Sequence, residues 1–207
     1  MEGSSLNVLG IPGSLRRDSF NLSLIERAAA LAPEGVDFDI FGQLGAIPHF
    51  NQDSEGERTP SAVLDLRRRI DAADAILIAT PEYNSSIPGV LKNALDWASR
   101  PPGESVLADK PAAVVGASPG RYGAIRAQAE VRKVLGAIGA AVLEQELAVP
   151  RAHEILAAPG ATEAAEIERD LAAMVMALAR LAGVPARAKL SDAVAYSREC
   201  QRLAAAG

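Results

Sequence analysis

One cysteine, Cys200, stands among 207 residues, which excludes an intramolecular disulfide and any metal centre built on several thiolates. Two histidines, His49 and His153, are too few for a histidine-built site, so no metal is expected. No apolar run reaches the roughly 18 residues of a membrane span. The segment 1–5 lacks the basic and apolar stretches of a secretory leader. Basic residues are not in excess: 21 Lys and Arg face 26 Asp and Glu, for a net charge of −5. That balance argues against nucleic acid or an anionic membrane surface as partner. What is present, 49% hydrophobic and 23% charged residues, is the composition of a folded domain. A soluble, reduced, cytoplasmic protein is expected.

Strand-length apolar runs alternate with helix-period segments along the chain. Leu6 to Ile11 is the first run, closed by Pro12-Gly13; Leu22, Ile25, Ala29 and Ala32 then mark one helix face. Val36 to Phe41 is a second strand, and Val63, Leu66 and Ile70 the next helix, with Arg67, Arg68 and Arg69 expected on its solvated side. Ala75 to Ala79 is apolar throughout, as in a strand covered on both faces. Pro88 sits where a helix would begin, before Val90, Leu91, Ala94, Leu95 and Ala98. Ala112 to Gly116 is a fourth strand, followed by a helix face at Val131, Val134, Leu135 and Ile138. Ala141 to Val149 holds a fifth strand, and Ile167 to Leu181 the last long helix, stopped near Gly183-Val184-Pro185.

Strict alternation of strands and helices implies an α/β fold with a parallel sheet covered on both faces. Five strands are too few for a closed barrel, so an open doubly wound sheet of order 2-1-3-4-5 is expected. One domain over 1–189 is expected, with an alanine-rich tail at 190–207 as a frayed helix or a partner-contacting arm. In such sheets ligands bind beyond the carboxyl ends of the strands, at the switch point between strands 1 and 3.

The three loops at that edge are the distinctive segments. Gly13 to Asn21 offers Ser14, Ser19 and Asn21 as short donors, Arg16 as a planar cation, and the start of a helix. That set suits a phosphate monoester, because free amides and the positive dipole end converge on one anion. A capping residue beside a solvated arginine pair would account for the same residues. Neither G-x-x-x-x-G-K-[ST] nor G-x-G-x-x-G is present, so a nucleoside triphosphate or ordinary dinucleotide site is not indicated. The second loop, Thr80 to Gly89, brackets Tyr83 between Pro81 and Pro88, a stiff frame able to aim backbone groups at a flat heterocycle. The third is Ser118 to Gly123.

Gly-Ser-x-Arg-x-x-Ser-x-Asn at 13–21, Pro-Glu-Tyr-Asn-x-Ser-x-Pro-Gly-x-x-Lys-Asn-Ala-x-Asp-Trp at 81–97 and Ser-x-Gly-x-x-Gly at 118–123 together resemble the NADPH-dependent FMN reductase family, most of all its quinone, chromate and azo-compound reductases. The likeness covers roughly residues 6–182. It implies a flavodoxin-like fold, noncovalent FMN, NADPH or NADH as hydride donor, a small-molecule electron acceptor, and a homodimer or homotetramer. It further implies that Ser14, Arg16, Ser19, Asn21 and the Phe20 backbone hold the FMN phosphate. Pro81, Glu82, Tyr83 and Asn84 would line the ring, mainly through backbone groups. Ser86 would lie near the phosphate or ribityl end, and Ser118 and Gly120 at the pyrimidine side. Lys92, Asn93, Asp96 and Trp97 would serve packing and the subunit contact. Arg121-Tyr122 departs from the small or aliphatic residues usual there, which bears on the shape of the pyrimidine rim.

The chemistry implied belongs to the flavin, with donor and acceptor using one site in turn and no side chain required as nucleophile or base. Arg16 and Arg121 would favour the 2′-phosphate of NADPH. Three other readings compete. A flavin reductase would release reduced FMN to a monooxygenase, and an electron carrier would bind FMN without NADPH. A serine hydrolase would use Ser118 in Gly116-Ala117-Ser118-Pro119-Gly120, although only His153 follows it and no Asp lies between them.

Overall fold

The computed structural model describes residues 5–158 and 160–183. The tail from 190, with Cys200, lies outside the described residues, as do Val184 and Pro185. The elements are β1 (Leu6–Pro12), α1 (Phe20–Ala30), β2 (Val36–Ile40), α2 (Ser61–Ala72), β3 (Ala75–Thr80), α3 (Gly89–Ala98), β4 (Pro111–Ala117), α4 (Ile125–Ile138), β5 (Ala141–Val142), β6 (Leu147–Val149), α5 (Ala152–Ile155) and α6 (Thr162–Leu181). Every strand pairing is parallel, in the order β2-β1-β3-β4-β5, with β6 also on β4.

The sheet is central because its middle strands have no polar face to show water. All six residues of β3 are buried. Their side chains alternate between two apolar layers. Leu77, Val8 and Val115 pack under α1 and α6, with Leu24, Ile25, Met174 and Leu178. Ile76, Ile78, Leu9 and Val114 pack under α2, α3 and α4, with Leu66, Leu91, Leu95, Val131 and Leu135. Each such side chain contributes about 1.5–3 kcal/mol when removed from water. Gly10 lets α1 come closest, since a Cβ there would lie 2.3 Å from Cγ2 of Ile25.

Two expectations need correction. The fifth strand is broken: Val142 pairs with Ala112 and Leu147 with Val115, so the edge carries two residues more than β4 across that stretch. Those residues leave the ladder as a bulge, which edge strands tolerate because one side is unpaired. Arg67 is half-buried rather than on the solvated side. Its guanidinium lies 5.9 Å from the Trp97 ring centre and its Nε donates to the Trp97 carbonyl at 3.0 Å, while burial pulls its pKa down. Trp97 provides the reason, a fully buried ring large enough to cover the arginine stem.

The segment after β2 folds as three short 3-10 turns across α3. Trp97 Nε1 and Asn93 Nδ2 both donate to the Pro48 carbonyl, at 2.8 and 2.9 Å, and the Phe50 amide donates to Asn93 Oδ1 at 2.7 Å. Phe50 meets Trp97 edge-on, and Lys92 pairs with Asp96 along the helix. This part of α3 therefore holds its own chain's 48–50 segment. Arg100 then clamps Glu55 bidentately, at 2.6 and 3.1 Å.

The hydrogen bonds from Arg100 hold the Glu55 carboxyl below its ordinary range. A carboxylate with a depressed folded-state pKa stabilises above its unfolded pKa, and that contribution is lost as pH falls through the folded value. Protection against hydrogen exchange in 52–58, taken relative to the intrinsic rate at each pH, should therefore fall below the usual carboxylate range, roughly pH 4. Glu55→Gln should show the faster exchange already at neutral pH; equal protection in both proteins would refute the clamp.

Candidate functional site

The carboxyl ends of β1, β3 and β4 open on one side of the sheet. β1 passes into the first loop through Gly13, whose amide donates to the Ala79 carbonyl at 2.7 Å. Ser19 caps α1 from extended backbone, its hydroxyl oxygen accepting from the Leu22 amide at 3.3 Å. The amides of Phe20 and Asn21 have no partner among the described residues. The Arg16 guanidinium lies 5.3 Å from the Phe20 ring centre and donates to the Asp18 carbonyl at 2.6 Å. It has no carboxylate partner among the described residues, so its charge faces the loop undiminished.

Asn21 plays a different part from the one its motif suggests. Its carboxamide is buried, donating to the Ala117 carbonyl and accepting from the Ala117 amide, both at 3.0 Å. The side chain thus ties the start of α1 to the end of β4, and only its backbone amide is left for an anion. Identity at 21 was legible; the partner, 96 residues away, was not.

The second loop is a two-residue hairpin. Tyr83 and Ser86 exchange amide–carbonyl bonds at 3.0 Å each, and Asn84 and Ser85 between them have φ of 52° and 61°. Two successive left-handed residues make a type I′ turn, which favours Asn-Gly and places a cost on Ser at its second position. The Tyr83 side chain stands half exposed beside the opening. Glu82 turns the other way. Its Oε2 accepts from the Arg126 and Ala127 amides at 3.0 and 3.3 Å, the second and third residues of α4. The residue before α4 is Ala124, which has no side-chain acceptor, so Glu82 caps this helix from another loop.

The third loop is fastened to β6. The Ser118 amide donates to the Val149 carbonyl at 3.1 Å, and Gly120 accepts from the Arg151 amide at 3.1 Å. Gly123 sits at φ 56°, where a Cβ would come within 2.6 Å of the Val149 nitrogen. Only glycine permits that approach. Beneath it the buried Gln128 donates to the Gly123 carbonyl at 3.3 Å. Ser118 Oγ faces the Gly120 carbonyl, and the exposed His153 contacts Glu154, so no described histidine activates this serine. The hydrolase reading lacks its base.

Ser14, Arg16, Ser19, Phe20, Asn21, Pro81, Glu82, Tyr83, Ala117, Ser118 and Pro119 surround a cleft of about 130 Å³. It is smaller than the ~300–1,000 Å³ usual for small-molecule sites. A flat ligand would therefore lie along it with one face open. Of the expected residues, Asn84, Ser86 and Gly120 are not on its wall. Asn84 is at the turn tip and Gly120 faces α5. The Ser86 hydroxyl, expected near a phosphate or ribityl chain, instead donates to Glu130 Oε2 at 2.6 Å. The donor set nevertheless fits FMN: hydroxyls, a guanidinium and unpartnered helix amides at one end, and a stiff turn with an aromatic side chain at the other. Arg121 and Arg126 flank Tyr122 at the rim, 4.6 and 5.1 Å from its ring centre. Among the described residues no cluster of His, Cys, Asp and Glu could hold a metal, and no helix is long and apolar enough to cross a membrane.

An open α/β sheet of this order with its cleft at the carboxyl edge defines a flavodoxin-like protein. The chain belongs to the NADPH-dependent FMN reductase family, whose sequence profile matches residues 6–154, and is an oxidoreductase of that family. It is 49% identical over 130 residues to an NAD(P)H-dependent FMN reductase of Pseudomonas aeruginosa, covering 63% of this chain and 69% of the relative. It is 45% identical over 141 residues to a 2-hydroxy-1,4-benzoquinone reductase of a Burkholderia species, covering 68% and 76%. The solved structure of the flavoenzyme NAD(P)H:(acceptor) oxidoreductase FerB of Paracoccus denitrificans superposes with a TM-score of 0.77 at 37% identity, over 86% of this chain and 97% of that one.

Asn21→Ala would leave the buried amide and carbonyl of Ala117 without partners. Unfolding in urea should show a loss of about 3 kcal/mol. A loss below about 1 kcal/mol would mean water replaces the carboxamide and that the tie is dispensable.

Proposed function

We propose that this chain is a cytoplasmic enzyme that takes electrons from NADPH or NADH and passes them, through tightly held FMN, to quinones or similar small acceptors such as chromate, azo or nitro compounds. One observation carries the reading: the anion donors of the first loop and the Tyr83 turn share a single cleft. The names of the two relatives, an FMN reductase and a hydroxybenzoquinone reductase, support the same class. Bound FMN supplies the two-electron chemistry.

The protein's own contribution is position. Ser14, Ser19, Arg16 and the amides of Phe20 and Asn21 bind the phosphate. Pro81 to Tyr83 would cover one side of the ring, and Ser118 and Pro119 would close the other edge. Backbone amides of these loops would favour negative charge on a bound flavin ring. No side chain serves as nucleophile or general base. Because one face stays open, donor and acceptor occupy it in turn, and the kinetics are ping-pong. Two copies or four assemble, as the resemblance implies. Retention of FMN separates this enzyme from a reductase that releases its flavin.

Purified protein should be yellow after gel filtration. Anaerobic NADPH should bleach the flavin band, and benzoquinone should restore it. A preparation that stays colourless after excess FMN and dialysis defeats the reading. For donor choice, Arg121 is the group to change, since it has no carboxylate partner among the described residues. Arg121→Ala should raise KM for NADPH several-fold and leave NADH unchanged, reflecting the loss of one charge-assisted contact to the 2′-phosphate. Parallel changes for both donors would remove Arg121 from recognition.

A further inference from the structure

Beyond its own backbone pair, the hairpin at Tyr83 is held by side chains that bridge it to α4. Glu82 enters the first turn of that helix, as described. Arg126 Nη1 donates to Ser85 Oγ at 3.2 Å and lies 3.6 Å from Glu82 Oε1. One turn further along, Glu130 reaches back. Its Oε2 accepts from Ser86 Oγ at 2.6 Å and from the Ile87 amide at 3.3 Å. Two carboxylates therefore cross the same gap in opposite directions. Between them lies the strained pair Asn84 and Ser85, both left-handed. Such conformations are costly and persist only where the surroundings over-determine them. A hydrogen bond to a charged acceptor is stronger than a neutral one. The bonds from α4 oppose that strain, so losing the Glu130 carboxylate loosens the turn.

We propose that Glu130 is a positioning residue for the flavin site: it keeps the Tyr83 hairpin in its left-handed form through Ser86 and Ile87, and so sets how tightly and in what environment the ring is held. Glu130 does not line the cleft and touches no reacting atom. It acts at one remove. The inference rests on the reading that the ring lies against Tyr83, and it goes beyond that reading by naming a residue on α4 that no motif of the site contains.

The test compares Glu130→Ala, Glu130→Gln, Ser86→Ala and the double variant Glu130→Ala/Ser85→Gly, each purified as the full chain. FMN affinity is read by fluorescence quenching, with the visible spectrum of the bound flavin and the melting temperature recorded alongside. Glu130→Ala should weaken FMN roughly tenfold, the size of one lost charge-assisted bond. Its bound-flavin spectrum should shift toward that of free FMN. Glu130→Gln keeps an acceptor oxygen for Ser86 and should stay within about threefold of wild type. Ser86→Ala removes the same bond from the loop side and should reproduce most of the Glu130→Ala loss, which keeps the test alive if Glu130→Ala does not fold. Glycine adopts the left-handed region freely, so Ser85→Gly should recover most of the loss in the double variant.

Wild-type affinity and spectrum in both Glu130→Ala and Ser86→Ala would overturn the proposal while the FMN reading stands. A double variant no better than Glu130→Ala would overturn it too, because the turn's strain would then be irrelevant. A wild-type protein that takes up no FMN would overturn the underlying reading, and this inference with it.

Discussion

Everything functional in this molecule follows from a sheet that cannot be wetted on either face. β3 has no exposed residue, and its neighbours β1 and β4 are nearly as dry, so helices must cover both sides. The faces are then unavailable for ligands, and the strand ends are all that remain. Parallel pairing sends every carboxyl end the same way, which gathers Gly13 to Asn21, Thr80 to Ile87 and Ser118 to Gly123 at one edge.

Gathering three loops is not the same as holding them. Loops have few apolar contacts, and at this edge polar ties take over. Asn21 joins the first loop to β4, Glu82 and Glu130 join the second to α4, and the third hangs from β6 by backbone bonds. The Asn21 tie is buried, and those of Glu82 and Glu130 are charge-assisted. The exposed pairs on α2 and α6, such as Arg68 with Asp65, are screened and contribute little. A cleft built this way is rigid without being enclosed. Its one open face suits chemistry in which two partners take turns.

Sequence period and breaker residues located the strands well because buried parallel strands have few alternatives. Ala75 to Ala79 could be read directly, and so could the helix starting after Pro88. The bulge at 143–146 could not, because Leu143, Glu144 and Glu146 alternate as a continuous strand does. Arg67 was misplaced for a related reason. Three consecutive arginines look alike on a polar helix face, and only the position of Trp97, thirty residues on, distinguishes the one that turns inward. The site motifs pointed to the three loops that meet at the cleft but left the contacts within them open. Ser86 and Asn21 have donor side chains, and nothing local shows that Glu130 and Ala117 already occupy them.

Period and turn residues alone determined the strands, the helices and the loops between them, since each depends on neighbours within about one helix or strand length, and three motifs in those loops carried the family resemblance. Tertiary structure decided which polar groups stay free for a ligand. That division has a physical cause: a donor is available only if no acceptor reaches it, and the acceptors here arrive from residues 44 and 96 positions away.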